Sequence, residues 1–227
     1  MRSFVFALVL ALVAPMALAQ QDISHVNASI QTEAGSQYGN LETINGSIQV
    51  AAGVKAGAVE TVNGSITIAD QARIDGAETV NGAIRIGAGV VIKGDLETVS
   101  GNITVGTGSQ VGDDIEAVNG SIEVTGAEVS GNIENVNGKI SLLDTRVGGH
   151  IETVNGDILI GRGSHVHGKI VVHKSRGFSL FSFGNSTPPK VTIEAEATVE
   201  GPLVFEREVE LHIDPEAHVA HPEPVER

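Results

Sequence analysis

The chain has 227 residues, a formal net charge of −14 and no cysteine. Such acidity excludes a nucleic-acid partner and disfavours an anionic membrane surface, because phosphate backbones attract Lys and Arg and repel carboxylates. Without thiols there is no disulfide framework, and with one Tyr, six Phe and no Trp the core must be built from Ile, Val, Ala and Gly, which suits thin stacked layers.

Residues 1–19 read as a cleavable signal peptide. Arg2 gives a positive start, residues 4–13 form an apolar run, and Ala17-Leu18-Ala19 fits the small-x-small cleavage pattern. The mature chain would begin at Gln20 and be exported. No later stretch approaches the roughly 20 apolar residues of a transmembrane helix.

From residue 23 a period of 18 or 19 residues takes over. The segment Leu41-Glu42-Thr43-Ile44-Asn45-Gly46-Ser47-Ile48-Gln49-Val50 recurs at 59–68, 77–86, 96–105, 115–124, 133–142 and 151–160, after a degenerate copy with Ile23, Val26, Asn27, Ser29 and Ile30. Each copy holds two short β-patterned pieces around Asn-Gly and a third of the form Gly53-Val54-Lys55-Ala56-Gly57. Three such pieces close one triangular coil.

The fold class is therefore all-β: a single-stranded β-solenoid (β-helix) of about ten coils, of either hand, stacked about 4.8 Å apart into a rod about 50 Å long. Ile48, Ile66, Ile84, Ile103, Ile122, Ile140 and Ile158 form one interior ladder; Val50, Ile68, Ile86, Val105, Val124, Leu142 and Ile160 form another. The rival arrangement is a chain of hairpins through type I′ Asn-Gly turns. It strands Val62 on the polar face with Glu60, Ser65 and Thr67, whereas in a solenoid Val62 turns inward at a corner and Asn63-Gly64 supplies the bend.

Ile170 begins another coil, and the pattern then breaks over 174–190. After this insertion Val191 and Ile193 match Val209 and Leu211 at 18 residues, while Thr198-Val199 matches His218-Val219 at 20. One solenoid domain at 20–219 and a flexible charged tail at 220–227 complete the organisation.

The style of repeats such as Gly57-Ala58-Val59-Glu60-Thr61-Val62-Asn63-Gly64-Ser65-Ile66 resembles bacterial putative-adhesin β-strand-repeat proteins, and the compact coils look like bactofilins. The resemblance spans about residues 23–219 and rests on repeat style. It implies a bacterial envelope protein, periplasmic or extracellular, with a structural or adhesive role. The leader and the insertion depart from bactofilins and put cytoskeletal polymerisation in doubt.

Four groups of residues are candidate sites. Asn45, Asn63, Asn81, Asn119, Asn137 and Asn155 form a structural ladder: Asn tolerates left-handed backbone, and stacked amides can hydrogen-bond from coil to coil. Glu42, Glu60, Glu78, Glu97, Glu116, Glu134 and Glu152 would stand about 5 Å apart, at roughly 1 kcal/mol per neighbouring pair in water, with no Lys column to offset them. They form either a calcium-binding face, since oxygen donors suit that ion, or a solvated ladder hydrogen-bonded to Thr43, Thr61, Thr79, Thr98 and Thr153. The calcium-binding nonapeptide Gly-Gly-x-Gly-x-Asp is absent. His165 and His167 share one face of a strand, with His150 and His173 as neighbours to be tested; a metal needs a third ligand that the sequence does not fix. Phe178, Leu180, Phe181 and Phe183, rimmed by Lys174, Arg176 and Lys190, are a candidate partner contact within the insertion, or its cap over a coil.

No nucleophile elbow, metalloprotease motif or phosphate loop is present, and no cofactor other than calcium is suggested. The expected function is a non-catalytic, exported structural or adhesive protein, dimerising through an N-terminal coil with an open strand edge. The alternative is a calcium- or polysaccharide-binding module on the stacked Glu–Thr face, with sugar disfavoured by the shortage of aromatics for ring stacking.

Overall fold

A computed structural model describes residues 21–174, 187–220 and the strand Val225–Glu226. The leader at 1–19 and the candidate contact Phe178, Leu180, Phe181 and Phe183 lie outside the described residues. Three parallel sheets of eleven, ten and eight strands make the three faces of a β-solenoid of about ten coils. Each strand pairs only with its counterparts one coil away. On the first face the register runs Ile23, Leu41, Val59, Ala77, Leu96, Ile115, Ile133, Ile151, Ile170, Leu203.

The core follows from this register. Both second-face ladders point inward; Ile48, Ile66, Ile84, Ile103, Ile122 and Ile140 are fully buried. Their single preferred χ1 rotamer repeats from coil to coil without strain, and burying each such side chain stabilises by roughly 1.5–3 kcal/mol. No coil covers its own apolar edge, so stability is carried by contacts between neighbouring coils.

The three corners use different chemistry. Between the first and second faces, Asn amides chain together: Nδ2 of Asn45, Asn63 and Asn81 donates to Oδ1 of Asn27, Asn45 and Asn63 at 2.8, 2.9 and 3.0 Å. Asn137 and Asn155 continue the chain from Asn119 at 3.0 Å each. These asparagines are not left-handed, because the non-glycine residues with positive φ among those described are Gln71, Asp144 and Glu196. The following glycine is needed for room: a Cβ on Gly64, Gly82 or Gly101 would run into the glycine carbonyl of the coil before.

Backbone near φ 60° belongs instead to the second corner, where Gly53, Gln71, Gly89, Gly108, Gly126, Asp144, Gly163 and Glu196 all have φ between 49° and 74°, while Gly120 and Gly138 of the first corner stand at 155° and 139°. At the third corner a polar side chain caps the next coil's backbone. Asp95 Oδ1 accepts from Asp114 N (3.0 Å), Asn132 Oδ1 from His150 N (2.8 Å) and His150 Nδ1 from Lys169 N (3.2 Å).

The insertion leaves at the first corner, between strands Ile170–Val172 and Lys190–Ile193. Beyond it the period lengthens: Val191 pairs with Leu211 and Ile193 with Ile213 at 20 residues, Thr198 and Val199 pair with His218 and Val219 at the same spacing, and Val204 pairs with Val225 at 21. The 18-residue match of Val191 with Val209 is thus overturned, because Val191 takes Leu211 as its partner in the next coil. Within the segment read as a tail, Val225–Glu226 pairs with Val204 and Phe205 and adds the eleventh strand.

Candidate functional site

Period-2 alternation sets what the first face shows to solvent. In Leu41–Asn45, Leu41 and Thr43 are buried while Glu42 and Ile44 point outward. The same holds in every coil to Ile133–Asn137, with Ala117 and Asn135 in the threonine's place in the last two. The outer surface therefore carries two parallel columns. One is the glutamates, paired in register from Glu42 to Glu152. The other is Ile44, Val62, Val80, Val99, Val118 and Val136, each 37–46% exposed. Together they line a shallow groove of about 490 Å³ running from Ser24 to Val118.

Two expectations are corrected here. Val62 and its counterparts do not turn inward, because the buried slot beside them is taken by threonine, or by Ala117 and Asn135 in two coils. Nor is the face a Glu–Thr face. Oγ1 of Thr61, Thr79 and Thr98 donates inward to the carbonyls of Gly46, Gly64 and Gly82 at 2.9, 3.0 and 3.0 Å. Each satisfies a carbonyl the corner would otherwise leave unpaired. Asn135 does the same through Nδ2 to Gly120 O at 2.8 Å.

The carboxylates feel one another and their apolar neighbours. Burial pushes Glu60 above the ordinary carboxylate value, and Glu78 and Glu42 add to it. Glu97 rises through burial, then through Glu78, Glu116, Asp95 and Asp114; Glu116 rises through burial, Asp114 and Asp95. Glu134 rises through burial, Glu152 and Glu116. At the end of the column the sign reverses. Burial lifts Glu152, but hydrogen bonds from His173 and Lys169 outweigh it and hold the carboxyl low. Lys169 Nζ and His173 Nε2 stand 2.9 and 2.8 Å from it, and the next coil offers Val171 at that position. The hydrogen bond to Glu152 raises His173 despite partial burial, with Glu206 helping from 3.4 Å.

The histidines divide. His165 and His167 point outward from the third face, and Glu200 of the next coil lies against both, 2.8 Å from His165 Nε2 and 2.9 Å from His167 Nδ1. His150 and His173 are elsewhere, one a corner cap and the other the partner of Glu152. Glu200 was hidden from sequence reasoning because the insertion stretches its coil to 33 residues, as Val166 pairing with Val199 shows. Asp95, Asp113 and Asp114 also gather; the first and third are already engaged as corner caps, Asp114 Oδ1 accepting from Asn132 N at 2.5 Å.

Comparison with family models, with curated proteins and with solved structures returned no match.

Proposed function

We propose that the chain is a non-catalytic structural or adhesive protein of the bacterial cell envelope, exported through the leader at 1–19, that holds a partner on its outward first face. The observation that carries this reading is the double column of Glu42–Glu152 carboxylates beside exposed Ile44, Val62, Val80, Val99, Val118 and Val136. An exposed apolar stripe several coils long is the mark of a contact surface. Carboxylates raised by burial and by one another are relieved by a cationic partner, so the fitting surface alternates Lys or Arg with apolar side chains. The repeat-style resemblance to adhesins points to the envelope, and the uniform coils before residue 174 lack the loops that would wall a catalytic cleft. The edge strands Ile23–His25 and Ile30–Gln31 supply the means for a homodimer.

Calcium is the second reading, favoured by the mutual repulsion of Glu60, Glu97 and Glu134. It is the weaker one. Calcium takes six to eight oxygens, and the threonine hydroxyls beside this column are turned inward. Sugar fits less well still, since the outward side chains between Glu42 and Val136 on this face include no aromatic ring for stacking.

Co-sedimentation of the purified protein with envelope fractions of its source cell tests the reading, alongside light scattering with and without millimolar calcium. Expected is sedimentation that falls in high salt and with Val80→Lys/Val99→Lys. Equal sedimentation by that variant would remove the first face as the docking site. A calcium-dependent mass or affinity lost in Glu78→Gln/Glu97→Gln would promote the second reading.

A further inference from the structure

We infer that His165, His167 and Glu200 form a binding site for a divalent transition-metal ion of the zinc type, on a different face from the docking surface and independent of it. Strand His165–Val166 turns Val166 into the core, so that alternation presents both imidazoles outward, with one residue between them. The coil above places Val199 over Val166, and Glu200, the next residue, faces the same solvent. Its Oε1 lies 2.8 Å from His165 Nε2 and its Oε2 2.9 Å from His167 Nδ1. The two rings stand 4.5 Å apart and are tilted by 40°, and all three ligand atoms lie within 4.8 Å of one another.

Two imidazoles and a carboxylate suit zinc, whose bonds of about 2.0–2.2 Å put tetrahedral ligands roughly 3.3 Å apart. Opening the Glu200 contacts by roughly half an ångström admits the ion at that bond length. With a neutral ring, His165 offers Nε2 and carries its proton on Nδ1, while His167 offers Nδ1 and carries its proton on Nε2. Side-chain exposures of 34%, 52% and 51% leave the fourth position to water or to a donor from another molecule. Hard-ion binding is not the expectation, since imidazole selects zinc, copper or nickel over calcium and magnesium. The rigid register of two neighbouring coils positions all three ligands, so little ordering is required. The coil below sets Arg146 under His165, itself paired in register with Glu128; its long exposed side chain can turn toward that carboxylate when the ion enters.

The test is a zinc titration of the untagged protein in competition with a chromophoric chelator, repeated with cobalt to read the visible bands of a tetrahedral nitrogen–oxygen site. One ion per chain is expected. His165→Ala, His167→Ala and the isosteric Glu200→Gln should each weaken binding more than about tenfold, whereas His212→Ala, in an exposed and remote position, leaves it unchanged. Circular dichroism of each variant separates loss of the site from loss of the fold, and the exposed Glu200→Gln keeps the test open if a histidine variant fails to fold. No zinc uptake, or uptake that survives Glu200→Gln and both histidine variants within twofold, overturns the inference.

Discussion

Glu134 and Glu152 hold the same place in adjacent coils and are paired in register, yet their carboxyls are driven in opposite directions. Burial and the neighbouring acids raise Glu134, while His173 and Lys169 overcome the burial of Glu152 and lower it. The column is therefore repulsive along most of its length and neutralised at one end.

Stability should consequently rise on mild acidification. Glu60, Glu97, Glu116 and Glu134 bind their protons more tightly in the folded chain than at the ordinary 4.5. Their contribution to stability is present below that value and is lost as pH climbs through the folded one. His173, raised above 6.5, contributes below 6.5 and loses its contribution as pH passes its folded value. Glu152, lowered from 4.5, works oppositely and fails only as acid reaches its depressed value. Thermal melts should shift upward from about pH 8 to about pH 5 and downward in stronger acid. His173→Gln should flatten the upper limb. A melting temperature that falls steadily from pH 8 to 5 would contradict the assignment.

Single charge removals separate the middle of the column from its neutralised end. Glu97→Gln relieves repulsion from Glu78, Glu116, Asp95 and Asp114 and should stabilise by a few tenths of a kcal/mol, the scale of exposed charge pairs. Glu152→Gln strips Lys169 and His173 of their shared partner and should destabilise instead. Urea midpoints at low and high salt decide: salt should narrow the gap between the variants, and equal midpoints at low salt would deny any difference between the two positions.

Glycines at two corners answer to different constraints. Gly53 has φ 67° and its Cβ would meet nothing nearer than 4.0 Å, so Gly53→Ala should cost about 1–2 kcal/mol from backbone strain alone. Gly82 meets the backbone of Gly64, and Gly82→Ala must pry two coils apart at 1–3 kcal/mol or more. Gln71→Gly, which supplies the residue suited to φ 60°, should melt no lower than the parent and serves as the matched control.

Much of the rod was legible because its interior is redundant. Ile48 and its counterparts recur with one period, and misreading one coil leaves the others to correct it. The outward face was less legible. Val62 is apolar and invites an inward placement, but strict alternation from buried Val59 puts Thr61 inside and Val62 out, and threonine's hidden bond to Gly46 O has no signature in composition. Past the insertion, the rod beyond Lys190 depends on register alone, and Glu200 could be placed over His167 only after the coil count across 174–190 was known.

Val80 and Ile84 make that distinction measurable, one 41% exposed and the other fully buried. Ile84→Ala should cost about 2–5 kcal/mol through the cavity it leaves. Val80→Thr keeps the β-branched shape on an exposed strand position and should cost less than about 0.5 kcal/mol. A large loss in Val80→Thr would mean that the outer column supports the fold, and would remove the reason for reading it as a contact surface.

Ser100 interrupts the asparagine column, in register with Asn81 on one side and Asn119 on the other. Asn81 donates down to Asn63, and Asn137 donates down to Asn119, so the column is two hydrogen-bonded chains with a gap of one coil. The backbone on both sides already holds the geometry that the amides need. Ser100→Asn can therefore donate to Asn81 Oδ1 and accept from Asn119 Nδ2 without moving the chain. Each bond is worth about 0.5–1.5 kcal/mol net when well formed, and the exposed position places these at the lower end. A total gain of about 0.5–1 kcal/mol in a urea titration is expected on that scale. Asn81→Ser widens the gap and should lose a similar amount. If Ser100→Asn proves neutral while Asn81→Ser destabilises, the ladder acts through each asparagine's own corner and not through the chain of amides.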